Sequence, residues 1–184
     1  VRLKTFKHSN LLARFIAEYL YSNKIIKFFE DNSFIDLDYI ISYSPSIFFG
    51  KSVTHLKKIY KCKSYLIQRD LFPDWAYKQG LIKSSLLYQY LKTKEIQNYN
   101  SADFIGLDRK GAFKYIRKLG YQNSEILNNW LLTNKIKYKE SFHLNKNIDY
   151  FIYGGNLGLA QDLQNLIKNI NYKLLKKNNI KILI

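Results

Sequence analysis

Two neighbouring charged residues, Arg69 and Asp70, have side chains suited to catalysis. They follow the apolar run Ser64 to Ile67, where opposite charges can orient an acidic group and accept a proton from a hydroxyl. A mutual ion pair that only holds the loop is the alternative. Other polar side chains come after apolar runs in the same way: Ser44, Ser46, Asp74, Asp108, Asn128, Asn129 and Asn156. For any one of these, a helix cap or a loop hydrogen bond is the simpler interpretation.

A glycine-rich turn is the second candidate site. An apolar run from Tyr150 to Tyr153 stops there, and a helical pattern begins near Ala160. The turn contains Gly154, Gly155, Asn156 and Gly158. Glycines let the backbone approach a ligand closely, and free N–H groups with the positive end of a helix dipole favour a phosphate. A plain connection between a strand and a helix is equally compatible with these residues.

Other common catalytic sites find little support in the sequence. His8, His55 and His143 are dispersed, and the single cysteine, Cys62, cannot build a zinc site with them. A lone cysteine also excludes an internal disulfide framework and fits a reducing compartment. The phosphate loop of the Walker type, G-x-G-x-x-G and G-x-S-x-G are all absent, which disfavours common nucleotide hydrolases, dehydrogenases and esterases.

Apolar runs that alternate with helical patterns must position these residues. The predicted strands are 37–43, 64–67, 103–107, 125–127, 150–153 and 180–184. The predicted helices are about 9–29, 48–61, a stretch before Gly80, 84–98, 108–119 and 160–174, with Asp108 capping the fifth and Gly120 just past its end. This alternation predicts an α/β fold with a parallel sheet. The continuous apolar run 37–43 further predicts a sheet covered on both faces.

Composition and charge limit the classes of binding partner that the sequence favours. The 184 residues carry 30 Lys and Arg against 14 Asp and Glu, a net charge of +16 that favours phosphate-rich partners such as nucleic acid or an anionic membrane surface. No apolar run reaches the roughly 20 residues that a membrane span needs, and no signal peptide is recognisable, which predicts a cytoplasmic protein. The absence of Met, even at position 1, suggests a piece of a longer protein.

Four stretches of the chain resemble the family-4 glycosyltransferases of the GT-B fold, especially the bacterial O-antigen and capsule branch that includes the N-acetylfucosamine transferases. They are SYSPSIFFG at 42–50, KSYLIQRDLFPDWAYKQGLIK at 63–83, EILNNW at 125–130 and YGGNLGLAQDLQNLI at 153–167. The resemblance implies that 1–130 is the later part of an N-terminal, acceptor-side Rossmann-like domain. It makes 131–148 an interdomain linker and 149–184 the first βαβ unit of a Rossmann-like donor domain.

The same resemblance implies a function. The family transfers a sugar from a nucleotide-sugar without a metal or another cofactor, usually with retention at the anomeric carbon. Close relatives use an acceptor saccharide on a polyprenyl diphosphate lipid, in the synthesis of bacterial surface polysaccharides. We therefore expect a peripheral protein at the inner face of the plasma membrane, where an anionic surface attracts each nearby Lys or Arg by on the order of 1 kcal/mol.

Individual residues take expected roles from the family's motifs. Arg69 and Asp70 match a site where many relatives have His-Asp. Because arginine cannot act as a base at neutral pH, Asp70 is the candidate for acceptor contact and Arg69 for an anionic group. The donor-binding residues implied by the resemblance are Gly154, Gly155, Asn156 and Gly158. The further acceptor-side residues are Ser44, Ser46, Asp74 and Trp75. No metal ligand is expected.

Departures from the family pattern limit the expected activity. Relatives have an initial strand with its own glycine loop, downstream basic residues and a Glu-x7-Glu motif, for which this sequence has no counterpart. We therefore expect little or no transferase activity from this piece alone. A basic nucleic-acid-binding protein without enzymatic activity is the alternative that the charge and the aromatic content support. The resemblance favours the transferase, for which no nucleic-acid partner is expected.

Overall fold

The computed structural model describes residues 11–32, 36–44, 46–130, 144–158 and 161–184. Contacts divide the chain into two compact units, Val1–Trp130 and Leu131–Ile184. Most of the predicted linker, 131–143, lies outside the described residues. The first unit contains the Arg69–Asp70 pair, and the second contains the glycine turn.

A four-stranded parallel sheet forms the centre of the first unit. Its strands are β1 (Tyr39–Tyr43), β2 (Lys63–Gln68), β3 (Phe104–Leu107) and β4 (Ser124–Ile126), and they lie side by side in chain order. Ile41 lies opposite Tyr65, and Tyr65 opposite Phe104. Each connection steps to the next position in the same direction. The predicted α/β fold with a parallel sheet is confirmed.

Helices precede and connect these strands. Those among the described residues are α1 (Leu11–Asp31), α2 (Gly50–Tyr60), α3 (Asp74–Lys78), α4 (Ser85–Ser101) and α5 (Lys110–Lys118). Gly120, just past α5 as predicted, takes a φ of 98° that glycine adopts without strain. The predicted cap at Asp108 is wrong, because Arg109 occupies the N-cap position of α5 and no side chain caps it. None of the described helices is long and apolar enough to cross a membrane.

The main core lies between the sheet and helices α4 and α5. Leu66 of β2 and Ile105 and Leu107 of β3 are buried with Tyr99 of α4 and Ile116 of α5. A second cluster joins the loop before α2 to α3 and α4 through Ile47, Phe48, Ala76, Ile82 and Leu91. These two clusters anchor the strands and helices that border the loops after β1 and β2.

The opposite face of the sheet is bare in the part of the unit that the structure describes. The side chains of Tyr39 and Ile41 on β1 are 73% and 70% exposed, and that of Phe104 on β3 is 50% exposed. Strand residues alternate between faces, and the register places these three on one face. The prediction of two covered faces is therefore wrong for the described residues. Right-handed crossovers that all step in one direction place their helices on a single face.

The second unit has a smaller sheet, in which the two strands pair in parallel. Its elements are β5 (Asp149–Ile152), α6 (Leu163–Asn169), α7 (Tyr172–Lys177) and β6 (Ile180–Leu183). The single helix predicted here is divided in two, because Asn171 starts a new turn by accepting a hydrogen bond from the N–H of Leu174 at 3.0 Å. The predicted helix start at Ala160 lies outside the described residues. No described residue of this unit is buried.

Candidate active site

The Arg69–Asp70 pair lies at the carboxyl end of the parallel sheet. Tyr43 of β1 lies opposite Ile67 of β2, so Ser44, the next residue after β1, comes beside the segment that leads into the pair. Open parallel sheets bind their ligands at this edge. The structure therefore brings together three of the predicted site residues, Ser44, Arg69 and Asp70.

Ser44 fixes the backbone of the pair. Its side chain is fully buried, and its Oγ accepts hydrogen bonds from the backbone N–H of Arg69 at 2.8 Å and of Asp70 at 3.4 Å. Its own N–H donates to the carbonyl of Ile67 at 3.0 Å and continues the ladder between β1 and β2. This geometry gives Ser44 a positioning role. The direct acceptor contact expected of it stays a prediction.

Gln68 is a second positioning residue, which the sequence analysis did not single out. Its side chain is only 2% exposed, and its Nε2 donates to the backbone carbonyl of Asp70 at 2.5 Å. The signal available in the sequence was an amide at the last position of an apolar strand, where burial requires a hydrogen-bond partner. Ser44 and Gln68 together hold both the N–H and the C=O of Asp70.

Arg69 does not pair with Asp70. Its Nη1 donates to the carbonyl of Leu127 at 3.2 Å, and its Cζ lies 5.6 Å from the ring centroid of Trp130. In the described structure, no salt bridge joins Arg69 to Asp70. The guanidinium thus ties the loop after β2 to the loop after β4. Its remaining N–H donors are available to an anionic group.

Asp70 presents a carboxylate on a fixed backbone. Its side chain is exposed and makes no hydrogen bond or ion pair with any residue that the structure describes. Only its backbone is engaged, through Ser44 and Gln68. Both carboxylate oxygens can therefore accept a hydrogen bond from the hydroxyl of a bound molecule.

Asp74, at the start of α3, lies in a network of polar side chains. Its carboxylate accepts hydrogen bonds from Lys92 Nζ at 2.9 Å and from the hydroxyls of Tyr88 at 3.0 Å and Tyr115 at 3.1 Å. Burial would raise the pKa of Asp74, but Lys92 and the two tyrosine hydroxyls lower it below its ordinary value. These three bonds leave Asp74 little capacity for an acceptor contact, whereas its neighbour Trp75 is exposed. Both acceptor roles stay predictions.

Glu95 extends this network into the core. Its side chain is fully buried, its Oε2 lies 2.5 Å from Lys92 Nζ, and its Oε1 accepts a hydrogen bond from the Tyr99 hydroxyl at 2.6 Å. Burial raises the pKa of Glu95 above its ordinary value despite these partners. Burial would lower the pKa of Lys92, but its hydrogen bonds to Asp74 and Glu95 raise it. The network joins α3, α4 and α5, and no local sequence pattern predicts it.

Three polar atoms near the carboxyl ends of the strands are buried without a hydrogen-bond partner in the described protein: Ser46 Oγ, Gln68 Oε1 and Asp108 Oδ1. This Asp108 oxygen does have an ion-pair partner, Arg109 Nε at 3.8 Å. Away from this edge, Asn98 has one such atom, and so do His55 and Glu95, which have charged partners. Buried polar atoms are rarely left unpaired. Their concentration at this edge, including the predicted residue Ser46, favours a ligand-binding role.

The glycine turn follows β5 and is open to solvent. Its four predicted residues are all exposed: Gly154, Gly155, Asn156 and Gly158. The hydroxyl of Tyr153 donates to the carbonyl of Asn156 at 2.8 Å, and a Cβ added at Gly155 would lie 2.8 Å from that hydroxyl oxygen. Among the described residues, the next α-helix begins at Leu163, and the N–H of Gln161 donates to the carbonyl of Gly158 at 3.1 Å. Donor contact through the turn stays a prediction.

The first unit also has an apolar cavity. A cavity of about 620 Å³ lies between α1, β1 and α2, lined by apolar side chains such as Phe28 and Leu56, and it contains none of the predicted site residues. No group of three or more His, Cys, Asp or Glu side chains in the described ranges is arranged to hold a metal ion. The carboxyl end of the sheet therefore remains the candidate site.

Comparison with known proteins adds no assignment. No protein-family model matches this chain, and no curated protein matches it. The resemblance to glycosyltransferases therefore rests on the four sequence stretches and stays a prediction.

Proposed function

We propose that this chain is part of a GT-B glycosyltransferase that transfers a sugar from a nucleotide-sugar to a lipid-linked saccharide, in the synthesis of a bacterial surface polysaccharide. One observation carries the proposal. Asp70 presents an exposed, unpartnered carboxylate at the carboxyl end of a parallel sheet, on a backbone held by Ser44 and Gln68. The four stretches that resemble the family supply the identity of the reaction.

In this proposal, the carboxylate of Asp70 accepts a hydrogen bond from the acceptor hydroxyl and orients that oxygen toward the anomeric carbon of the donor. Positioned carboxylates that accept a proton contribute about 100-fold or more to a rate. Arg69 keeps its charge throughout, so it acts on an anionic group of a substrate rather than as a base. As a separate part of the proposal, backbone N–H groups of the glycine turn at Gly154 and Gly155 bind a diphosphate. The transfer proceeds with retention and without a metal.

The basic surface has a partner in the same proposal. A lipid-linked acceptor resides in a membrane, and a chain with a net charge of +16 is attracted to an anionic leaflet. In this proposal the protein works from the cytoplasmic side as a peripheral protein.

The test is a transfer assay on the longest gene product that contains these 184 residues. The protein is incubated with a panel of nucleotide-sugars and a lipid-linked saccharide, and both nucleotide release and extension of the saccharide are measured. We expect one nucleotide-sugar to be consumed with matching extension of the acceptor. No consumption of any nucleotide-sugar by a folded full-length protein would contradict the proposal.

The net charge of +16 also supports a second candidate, a nucleic-acid-binding protein without enzymatic activity. Counterion release makes such binding fall steeply with salt. Strongly salt-dependent binding to DNA or RNA, together with no binding of nucleotide-sugars, would favour this candidate over the transferase.

A further inference from the structure

We infer that Trp130 is the surface on which a pyranose ring of the acceptor saccharide stacks, an inference that rests on the proposed transferase function. The indole is 68% exposed in the loop after β4. Tryptophan is highly buried on average, because its large ring contributes strongly to stability when it is removed from water. An exposed indole in contact with Arg69, the residue before the candidate catalytic Asp70, is therefore a candidate contact for substrate.

Specific contacts hold this indole in its exposed position. The guanidinium of Arg69 lies over the ring, with its Cζ 5.6 Å from the ring centroid, and Nη1 of the same group donates to the carbonyl of Leu127. The N–H of Leu127 donates in turn to the carbonyl of Leu107 at 2.8 Å, and Ser44 holds the backbone of Arg69. One side of the ring is supported while most of the indole remains accessible. A surface fixed in advance loses little freedom when a ligand binds.

The surroundings of the ring fit a sugar. The C–H face of a pyranose packs on an aromatic ring, while its hydroxyls form hydrogen bonds with donors and acceptors around the edge. Asn128 and Asn129 precede Trp130 directly, are exposed, and have no partner for their side-chain amides among the described residues. The free carboxylate of Asp70 follows Arg69 in the adjoining loop. Together these groups offer donors and acceptors to hydroxyl groups.

Hydroxyl groups separate a sugar from a nucleobase at this surface. A nucleobase can also stack on an indole, but a pyranose carries several hydroxyl groups around its ring. The exposed carboxylate of Asp70 and the side-chain amides of Asn128 and Asn129 can accept hydrogen bonds from such hydroxyls. The remaining N–H donors of Arg69 stay open to the diphosphate that links the saccharide to its lipid. The geometry therefore assigns the ring to the saccharide of the acceptor and not to the nucleotide of the donor.

Fluorine NMR of the chain labelled with 5-fluorotryptophan tests this inference. The chain has two tryptophans, so the variant Trp130→Phe identifies the Trp130 resonance. The probes are farnesyl diphosphate that carries N-acetylglucosamine, farnesyl diphosphate alone, and uridine diphosphate. We expect the Trp130 resonance to shift only with the saccharide probe. Trp130→Ala should weaken the binding of that probe about tenfold, whereas Trp130→Phe, which keeps a flat ring, retains most of it. Circular dichroism confirms that both variants are folded.

Each other outcome overturns the inference. An equal shift with farnesyl diphosphate alone assigns the ring to the lipid or its diphosphate, and a shift with uridine diphosphate assigns it to a nucleobase. If none of the probes shifts the Trp130 resonance, Trp130 is not a binding surface for any of them. The transfer assay separates this inference from the proposed function. A protein that binds the saccharide at Trp130 but transfers no sugar refutes the transferase alone, whereas transfer that Trp130→Ala leaves unchanged refutes the stacking alone.

Discussion

The two units share a parallel strand–helix–strand arrangement, but among the residues that the structure describes only the first unit has a buried interior. Leu66, Tyr99 and Ile116 are inaccessible to solvent in the first unit, whereas no described residue of the second is buried. Four strands covered on one face by helices enclose a core, while two strands with short helices do not. The comparison teaches that the first unit supplies its own stability and that the described part of the second does not.

The loops that carry the candidate residues differ in the same way. In the first unit, two buried side chains, Ser44 and Gln68, hold the N–H and C=O groups of the segment that presents Asp70. In the second unit, the glycine turn is closed by the exposed bond from Tyr153 to Asn156. We therefore expect a rigid loop after β2 and a more easily opened turn after β5.

Truncation of a core side chain should give the largest difference between the units. Leu66→Ala should lower the free energy of unfolding by about 3 kcal/mol, because it removes part of a fully buried side chain and leaves a cavity. Phe151→Ala in the second unit should change it by less than about 0.5 kcal/mol, because that ring is already largely exposed. Urea unfolding followed by circular dichroism measures both. Equal losses of free energy of unfolding would contradict the claim that a buried core distinguishes the first unit from the described part of the second.

The polar network around Asp74 should give the next largest effect. Asp74→Asn should lower the free energy of unfolding by about 2 kcal/mol at neutral pH, since it removes the charged acceptor of bonds from Lys92, Tyr88 and Tyr115. Asp38→Asn, at an exposed aspartate before β1, is the matched control and should have almost no effect. Urea unfolding of the three proteins provides the comparison.

The effect of Asp74→Asn should also depend on pH. The folded-state pKa of Asp74 lies below its ordinary value of 3.8, so the ionised carboxylate stabilises the fold fully above that value and loses its contribution as pH falls through the lowered pKa. The difference between the wild type and Asp74→Asn should therefore shrink in acid, where both side chains are neutral. A difference that stays constant down to about pH 2 would rule out this electrostatic account.

The strands could be predicted from the sequence, whereas the contacts between distant segments could not. Short apolar runs separated by helical patterns placed all six strands, because such runs are the local signal of a parallel strand whether or not it becomes buried. The bare face was not predictable, since the same apolar run occurs whether a helix covers it or not. The division between α6 and α7 depends on a single residue, Asn171, whose side chain accepts a hydrogen bond from the N–H of Leu174 and so caps a new helix.

The candidate site shows the same limit. Arg69 and Asp70 were found from their position after a strand, which is a local property. The roles of Ser44 and Gln68 depend on the register between β1 and β2, and the engagement of Asp74 depends on side chains far along the chain. Hydrogen bonds that form only when distant segments meet leave no periodic signal in a sequence.

Removal of the Ser44 hydroxyl should give a smaller effect that is confined to one loop. Ser44→Ala leaves the N–H groups of Arg69 and Asp70 without their buried acceptor and should cost about 1 kcal/mol. Tyr153→Phe removes the bond to Asn156 in the exposed turn and should cost only a few tenths of a kcal/mol. Amide hydrogen exchange should show faster exchange at Arg69 in the first variant. Unchanged protection there would mean that Ser44 does not hold this loop.

The most direct test of the account compares sugar transfer by Asp70→Asn with transfer by Asp38→Asn in the longest gene product that contains this chain. Both substitutions remove one exposed carboxylate, but only Asp70 lies at the carboxyl end of the sheet. The account predicts that Asp70→Asn lowers the rate of transfer about 100-fold or more, while Asp38→Asn leaves it unchanged. Equal rates for the two variants, at wild-type level, would contradict the role assigned to Asp70.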